Sequence, residues 1–175
     1  MEQKLVCKNS PDIRKIRRLY DMSFPNEERV PFFHLMNSAG RDRVMHAYYQ
    51  DEELVGLTVM FLAYDIAYLS YICIEPELQD RGYGTMILDM LKDTYRDYRM
   101  AIDIEETESE SDNLEDRLRR KAFYVRNGFE STGVFYTYNG VEYEILSWNG
   151  IISKEDWQKT IEKHWGKYAA FATYR

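Results

Sequence analysis

A strand that is apolar at nearly every position, followed by a turn with two spaced glycines and then a helix, most restricts the fold of this chain. Residues 67–74 form the apolar run, Glu75-Pro76 ends it, and Gly82 and Gly84 lie in the turn. A strand without alternation is typical of the middle of a sheet that is covered on both faces. The segment therefore predicts a fold built around a buried strand.

Further strands and helices are predicted on either side of this segment. Residues 44–49 and 54–62 favour strands and enclose a polar turn, which predicts a β-hairpin. Asn139-Gly140 supplies the positive φ angles of a two-residue hairpin turn between strands 129–138 and 141–148. Helical spacing and strand alternation predict a helix after Asp12, a helical turn over 32–37, a helix over 84–98, a strand over 100–104 and a helix along the stripe of Leu114, Leu118, Ala122 and Val125. The order indicates a mixed α/β sheet.

Length and composition indicate one folded domain. The chain has 175 residues, of which 45% are hydrophobic and 30% are charged, a balance that excludes disorder as the overall state. We expect a single domain over 1–175, with its core over about 4–148. An appended helix over about 153–172 begins at the capping-box pattern Ser153-x-x-Asp156. One interpretation of its residues Trp157 and Trp165 is a contact in a homodimer.

Charge and cysteine content disfavour several classes of function. The chain has 23 Lys and Arg against 30 Asp and Glu, a net charge of -7, which disfavours nucleic acid as a partner and mildly favours a cationic small molecule. Cys7 and Cys73 lack the spacing of a metal site, so no metal is predicted. We find no signal-peptide pattern and no apolar run of membrane-spanning length, so we expect a cytoplasmic protein without a membrane partner.

The glycine turn carries a chemical prediction. Backbone N–H groups between Gln79 and Thr85, together with the positive end of the following helix, can bind a pyrophosphate. The turn lacks the Gly-Lys-Ser/Thr of a Walker loop, and Ile87 stands where a dinucleotide-binding fold has its third glycine. An ordinary strand-to-helix turn is the alternative.

Two motifs resemble the GNAT superfamily of N-acetyltransferases. Residues 79–84, Gln-Asp-Arg-Gly-Tyr-Gly, match the family signature Gln/Arg-x-x-Gly-x-Gly/Ala, and residues 122–129 resemble the late helix that ends in Tyr-x-x-x-Gly-Phe. The resemblance covers about residues 4–148. It implies a central, mostly antiparallel twisted sheet of about seven strands flanked by helices, with the C-terminal helix lying outside it.

The resemblance implies acetyl-CoA as the cofactor and a set of residues that bind it. The cofactor would lie against Ile72, Cys73 and Ile74, with the N–H of Ile74 directed at the thioester carbonyl. Its pyrophosphate would contact Gln79, Asp80, Arg81, Gly82, Tyr83, Gly84 and Thr85. Many members place an Asn that contacts the pantetheine arm seven residues before the Tyr. This chain has Arg117 there, and we predict Asn113, the nearest Asn, as the substitute contact.

Acetyl transfer to an amine needs a proton for the departing thiolate and an uncharged nucleophile. Tyr124 is the candidate general acid, because a phenol with a pKa of about 10 is protonated at neutral pH; a core aromatic is the alternative. Asp103 and Glu105 alternate with two isoleucines, so both are expected on one side of their strand, where either could serve as the base. Solvated carboxylates are the alternative for both.

The resemblance implies that the loop between Pro25 and Pro31 binds the acceptor, because loops that precede the sheet usually form the acceptor wall in this family. Solvated carboxylates are the alternative for its acidic residues. Glu27, Glu28 and Phe32 are the candidate substrate-binding residues, because carboxylates and an aromatic ring can hold a cationic amine. His34 is read as a packed or surface histidine. Cys73 is read as a small buried hydrophobe because no partner pattern for a nucleophile accompanies it.

These features predict an acetyl-CoA-dependent N-acetyltransferase in which a primary amine attacks directly in a ternary complex. The acidic balance favours a small cationic amine as the acceptor. A protein N-terminus or lysine is an alternative acceptor, and a non-catalytic acyl-CoA-binding regulatory module is an alternative function.

Overall fold

The computed structural model describes residues 1–26, 29–37, 42–107 and 111–175 of the chain. Its strands are β1 (Glu2–Leu5), β2 (Arg43–Gln50), β3 (Glu53–Ala63), β4 (Ile66–Ile74), β5 (Arg99–Glu105), β6 (Glu130–Tyr138), β7 (Val141–Trp148) and β8 (Thr173–Tyr174). Its helices are α1 (Ile13–Ser23), α2 (Phe32–Asn37), α3 (Tyr83–Thr94), α4 (Leu114–Arg126) and α5 (Lys154–Trp165), with 3₁₀ turns at Pro76–Leu78 and Gly166–Phe171.

The strands form one sheet in the order β1-β2-β3-β4-β5-β7-β6-β8. Strands β4 and β5 pair in parallel at residues 66–68 and 99–101, whereas the pairs β1–β2, β2–β3, β5–β7, β6–β7 and β6–β8 are antiparallel. The predicted mixed α/β fold with a mostly antiparallel sheet is therefore confirmed. The strand number is eight in the described residues instead of about seven.

The additional strand comes from the C-terminal segment, which differs from the predicted single helix over 153–172. Helix α5 begins with the predicted capping box between Ser153 and Asp156, but it ends at Gly166, whose φ of 54° favours a residue without a side chain. A 3₁₀ turn follows, and β8 then pairs with β6 through Tyr136 and Tyr174.

The chain divides into two compact units. The N-terminal unit comprises residues 1–62 and 69–94, and the C-terminal unit comprises residues 63–68 and 95–175. In the N-terminal unit, α3 buries the apolar side chains Ile87, Leu88 and Leu91. A Cβ atom at Gly56 of β3 would lie 2.5 Å from the Cys73 carbonyl oxygen and 3.2 Å from Ile87 Cδ1. Glycine at this position therefore allows close packing of β3 against β4 and α3.

The core of the C-terminal unit includes α5. Trp157 is fully buried, and its ring centroid lies 4.9 Å from that of Tyr68 and 6.0 Å from that of Tyr136. Trp157 therefore packs within this unit, and a homodimer contact through α5 stays a prediction. At the N-terminus of α5, Arg99 binds the carboxylates of Asp65 and Asp156 at 2.8 Å each.

Candidate active site

The turn between β4 and α3 has the geometry of an anion-binding site. Gly82 has a φ of 84°, and a Cβ atom built on it would meet nothing within 4 Å. The N–H of Met86 donates to the Gly82 carbonyl at 3.2 Å, so the N–H groups of Tyr83, Gly84 and Thr85 precede the first helical bond and have no acceptor within the helix. Three such donors at the positive end of a 12-residue helix fit a phosphate group.

The end of β4 offers further backbone donors. The N–H of Glu75 donates to the Val55 carbonyl of β3 at 2.8 Å. Because backbone directions alternate along a strand, the N–H groups of Ile72 and Ile74 point to the opposite edge of β4. The side-chain amide of Gln79 donates from Nε2 to the Ile74 carbonyl at 3.4 Å, which links the turn to this edge. Asp80, with a φ of 60°, and Arg81 lie exposed in the same turn.

Cys73 lies among these residues but is not activated. Burial raises the pKa of its thiol to about 12, although a hydrogen bond with Ser23 acts in the opposite direction. The thiol is therefore protonated at neutral pH and cannot act as a thiolate nucleophile. Cys73 is half-buried in the structure, not fully buried as predicted.

The loop before α2 is fastened to the N-terminal unit, although Glu27 and Glu28 lie outside the described residues. Arg29 donates to the carbonyl oxygens of Asp21 at 2.5 Å and Phe24 at 2.8 Å, both at the C-terminal end of α1. The N–H of Val30 donates to the Tyr71 hydroxyl at 3.0 Å. These bonds hold Arg29 and Val30 against the C-terminal end of α1 and against β4.

Phe32 does not present its ring to solvent. It is buried, with its ring centroid 5.9 Å from that of Tyr20. The exposed aromatic of α2 is Phe33, whose ring lies 5.5 Å from that of His34. The structure therefore places Phe32 in the core, and its predicted contact with a substrate has no support in this arrangement.

Tyr124 is buried near the C-terminal end of α4, with 4% of its surface exposed. Burial raises its pKa above the usual value for a phenol, an effect that the charge of Arg120 opposes, so the hydroxyl keeps its proton at neutral pH.

The backbone of Tyr124 belongs to a Schellman motif that ends α4. The N–H of Phe129 donates to the Tyr124 carbonyl at 3.1 Å, and the N–H of Gly128 donates to the Val125 carbonyl at 2.9 Å. The Tyr-x-x-x-Gly-Phe pattern thus has a structural basis that fixes the position of Tyr124.

Asp103 is half-buried in the C-terminal unit. Its carboxylate accepts hydrogen bonds from the hydroxyls of Tyr68 at 2.8 Å and Tyr136 at 2.5 Å. Burial raises the pKa of Asp103, although both hydroxyl bonds lower it. Asp103 is therefore hydrogen-bonded by two tyrosines and not a freely solvated carboxylate, and its role as a base stays a prediction.

Glu105, predicted on the same side as Asp103, has a separate set of partners. Its carboxylate lies 3.0 Å from Arg117 and 3.5 Å from Arg120 of α4. Arg117 also donates to the Glu106 carbonyl at 3.1 Å. Two guanidinium groups therefore bind this carboxylate, and its role as a base stays a prediction.

The structure corrects the predicted buried face of α4. Arg117 and Lys121 are not on a solvated face, because Arg117 binds Glu105 and Lys121 lies 2.6 Å from the buried Glu144 carboxylate. The predicted apolar stripe instead faces solvent, with 49% of Leu118 and 51% of Val125 exposed. Asn113 is the N-cap of α4 and accepts a hydrogen bond from the Ser111 hydroxyl at 3.1 Å.

The functional candidates that sequence reasoning missed are Lys121 and Glu144. A signal was present in the sequence, since Glu144 directly precedes the apolar residues Ile145 and Leu146 in β7. An acid in such a run needs a cationic partner. The sequence does not say which of the many basic residues that partner is.

No helix in the described part of the chain is long and apolar enough to cross a bilayer. Within residues 1–26, 29–37, 42–107 and 111–175, no group of three His, Cys, Asp or Glu is arranged to hold a metal ion.

Comparison with solved structures finds the same fold in acetyltransferases. A protein assigned to the GNAT family from Bacteroides thetaiotaomicron has a TM-score of 0.78 and 18% identity, over 97% of this chain and 99% of that chain. Aminoglycoside 6'-N-acetyltransferase from Enterococcus faecium has a TM-score of 0.66 and 16% identity, over 85% and 96%. Ribosomal-protein-S18-alanine N-acetyltransferase from Escherichia coli has a TM-score of 0.61 and 15% identity, over 89% and 98%. A search of curated proteins found no match.

A family model for the acetyltransferase (GNAT) domain matches residues 41–131, which is more than half of the chain. The matched segment contains the β4–α3 turn with its three N–H donors and also α4 with Tyr124. The chain therefore belongs to the GNAT family of acetyltransferases, and both the predicted family and its cofactor, acetyl-CoA, are confirmed.

Proposed function

We propose that this protein is an N-acetyltransferase that transfers the acetyl group of acetyl-CoA to a primary amine by direct attack. The observation that carries the proposal is the β4–α3 turn. Three helix N–H groups without an acceptor in the helix follow Gly82 there, and the space beside Gly82 is empty. When bound, acetyl-CoA supplies an acetyl group activated as a thioester.

The N-terminal unit would bind the cofactor through its backbone. The N–H groups of Tyr83, Gly84 and Thr85 would bind the pyrophosphate, with the rest of the turn from Gln79 to Gly82 shaping the site. The N–H of Ile74 would donate to the thioester carbonyl, since it points away from β3. A donor in this role contributes about 3 kcal/mol to the stabilisation of developing negative charge. Asn113, an exposed N-cap, is retained as a proposed pantetheine contact.

Tyr124 would act as the general acid. A buried phenol that keeps its proton at neutral pH can supply it to a departing sulfur. Asp103 and Glu105 remain the proposed candidates for the base. Burial raises the pKa of Asp103, which favours it, whereas Arg117 and Arg120 already bind Glu105.

The acceptor that we propose is a small cationic amine. The net charge of -7 favours approach of a cation. Glu27 and Glu28, which directly precede Arg29 in the sequence, remain the proposed groups that bind it. The Enterococcus faecium relative acts on an aminoglycoside and the Escherichia coli relative acts on a ribosomal protein, so the fold accommodates both acceptor classes.

Calorimetry with coenzyme A tests the binding proposal. Gly82→Val places a β-branched side chain at positive φ in the turn and is expected to weaken binding at least tenfold. Gly133→Val is the matched control, because Gly133 also has positive φ with open space around its Cβ position but lies in β6. Equal binding by both variants would remove the turn from the cofactor site.

A thiol-release assay with acetyl-CoA and a panel of polyamines, aminoglycosides and peptides tests the reaction. Turnover with polyamines or aminoglycosides supports the proposed acceptor class, and turnover with peptides alone supports a protein acceptor. Binding of acetyl-CoA without turnover on any amine would favour the regulatory module. Tyr124→Phe is expected to lower kcat about 100-fold while leaving the Kd for coenzyme A unchanged.

A further inference from the structure

The face that α4 buries is charged. Arg117, Lys121 and Tyr124 follow one another at spacings of four and three residues, so they form a single stripe along the helix. Each member faces the interior of the C-terminal unit: Arg117 binds Glu105, Lys121 binds Glu144, and Tyr124 packs on Phe129 at a ring-centroid distance of 5.8 Å.

A competing apolar stripe lies elsewhere on the same helix. Leu118, Ala122 and Val125 are also spaced by four and three residues, and all three are exposed. At 3.6 residues per turn, this stripe is displaced by about 100° from the charged one. Burial of apolar area alone would favour a helix turned by that angle, which would carry Tyr124 out of the core.

The ion pair between Lys121 and Glu144 opposes such a rotation. Glu144 is 2% exposed, and its carboxylate oxygen lies 2.6 Å from Lys121 Nζ. A helix turned by 100° would leave this carboxylate buried without its partner, which is the costliest arrangement for a charge. The pair therefore selects one rotational setting of α4.

We propose that Lys121, through its ion pair with Glu144, is a positioning residue that holds Tyr124 in its catalytic setting. The proposal rests on the proposed role of Tyr124 as general acid. Lys121 lies one helical turn before Tyr124 on the same stripe, whereas the Schellman motif fixes only the backbone at the end of the helix. The ion pair between Lys121 and Glu144 thus determines which side of α4 packs against the sheet.

A double-mutant cycle on kcat tests the proposal. Lys121→Met is expected to lower kcat about tenfold in the wild-type background and less than about twofold in the Tyr124→Phe background, since a residue that acts through Tyr124 has little further effect once the hydroxyl is gone. Lys121→Arg should restore most of the activity. Arg119→Met is the matched control, because Arg119 also forms an ion pair on α4, with Asp116, but is exposed.

The outcomes separate this proposal from the proposed function. If Tyr124→Phe lowers kcat and Lys121→Met lowers it by the same factor in both backgrounds, Tyr124 keeps its role and the positioning role of Lys121 is refuted. If Tyr124→Phe leaves kcat unchanged, both fail. Should Lys121→Met not fold, Glu144→Gln enters the same cycle, because it removes the charge that Lys121 binds while preserving shape. Hydrogen exchange of the α4 amides should rise in either variant and stay unchanged in Arg119→Met.

Discussion

Helices α3 and α4 are held in their units by different forces. Helix α3 buries Ile87, Leu88 and Leu91 and follows the usual rule that an apolar stripe faces the core. Helix α4 exposes its apolar stripe and buries Arg117 and Lys121 with Tyr124. The difference lies in the strands that each helix contacts. Strand β7 places the buried carboxylate of Glu144 against α4, whereas β3 has Gly56 where the side chain of Ile87 packs. Apolar spacing predicts the buried face of a helix only when the opposing strands are themselves apolar.

Truncation of the apolar face of α3 is expected to have the largest effect on stability. Leu88→Ala should lower the free energy of unfolding by about 2–5 kcal/mol, because it leaves a cavity in a fully packed site. Met86→Ala on the same helix is the control, since Met86 is exposed and should cost well under about 1 kcal/mol. Urea unfolding measures both changes. Equal losses would mean that α3 is not held by its apolar stripe.

Removal of the buried charge opposite α4 is expected to have an intermediate effect. Glu144→Gln should lower the free energy of unfolding by about 1–3 kcal/mol, less than for a pair enclosed on all sides because 32% of the Lys121 side chain is exposed. Asp116→Asn breaks an exposed ion pair of the same helix and should cost at most about 1 kcal/mol. If the two variants are equally stable in urea, ion pairing does not hold α4.

The parts of the fold that local sequence determines were predicted well. The Asn139-Gly140 turn has φ angles of 51° and 80°, the helical turn at 32–37 has the predicted bounds, and the capping box at Ser153 and Asp156 is formed. Each depends on residues within a few positions of one another, so the pattern contains the needed information.

The features that the sequence did not predict depend on partners distant along the chain. Asp103 is enclosed by hydroxyls that come from β4 and β6, 35 and 33 residues away. The buried face of α4 depends on Glu144, 23 residues beyond Lys121. Phe32 was expected at the acceptor and lies in the core because Tyr20 of α1 packs on it. Hydrophobic periodicity indicates which residues share a face of a helix or strand, but it does not indicate which residues pack against that face.

Helix α5 is held both by an apolar face, as α3 is, and by an ion pair, as α4 is. It buries Trp157 and Ile161 and forms an ion pair with Arg99 at its N-terminus. Hydrogen bonds from Arg99 lower the pKa of Asp65 and of Asp156 below the usual carboxyl range. Carboxylates with a lowered pKa stabilise the fold at pH values above the unfolded-state pKa of about 4, and this contribution is lost as pH falls through the lowered values. Asp65→Asn should therefore reduce stability at pH 7 by less than about 1 kcal/mol, because Asp65 is exposed. The difference in stability between Asp65→Asn and the wild type should disappear below about pH 3. Thermal unfolding at a series of pH values measures this difference. A gap that persists at pH 2 would mean that the charge of Asp65 does not contribute.

The smallest effect is expected from the exposed apolar stripe of α4. Leu118→Gln replaces an apolar residue with a polar one of similar helix propensity, so the free energy of unfolding should change by less than about 0.5 kcal/mol. Val125→Thr makes the matching change one residue before the end of the helix and keeps the β-branched shape. Both variants should keep the wild-type kcat, because neither residue lies on the stripe that carries Tyr124. A loss of 2 kcal/mol or more in urea unfolding for either one would show that the apolar stripe is buried in solution. The contrast between α3 and α4 would then disappear, and the ion pair at Glu144 would no longer be needed to explain how α4 is oriented.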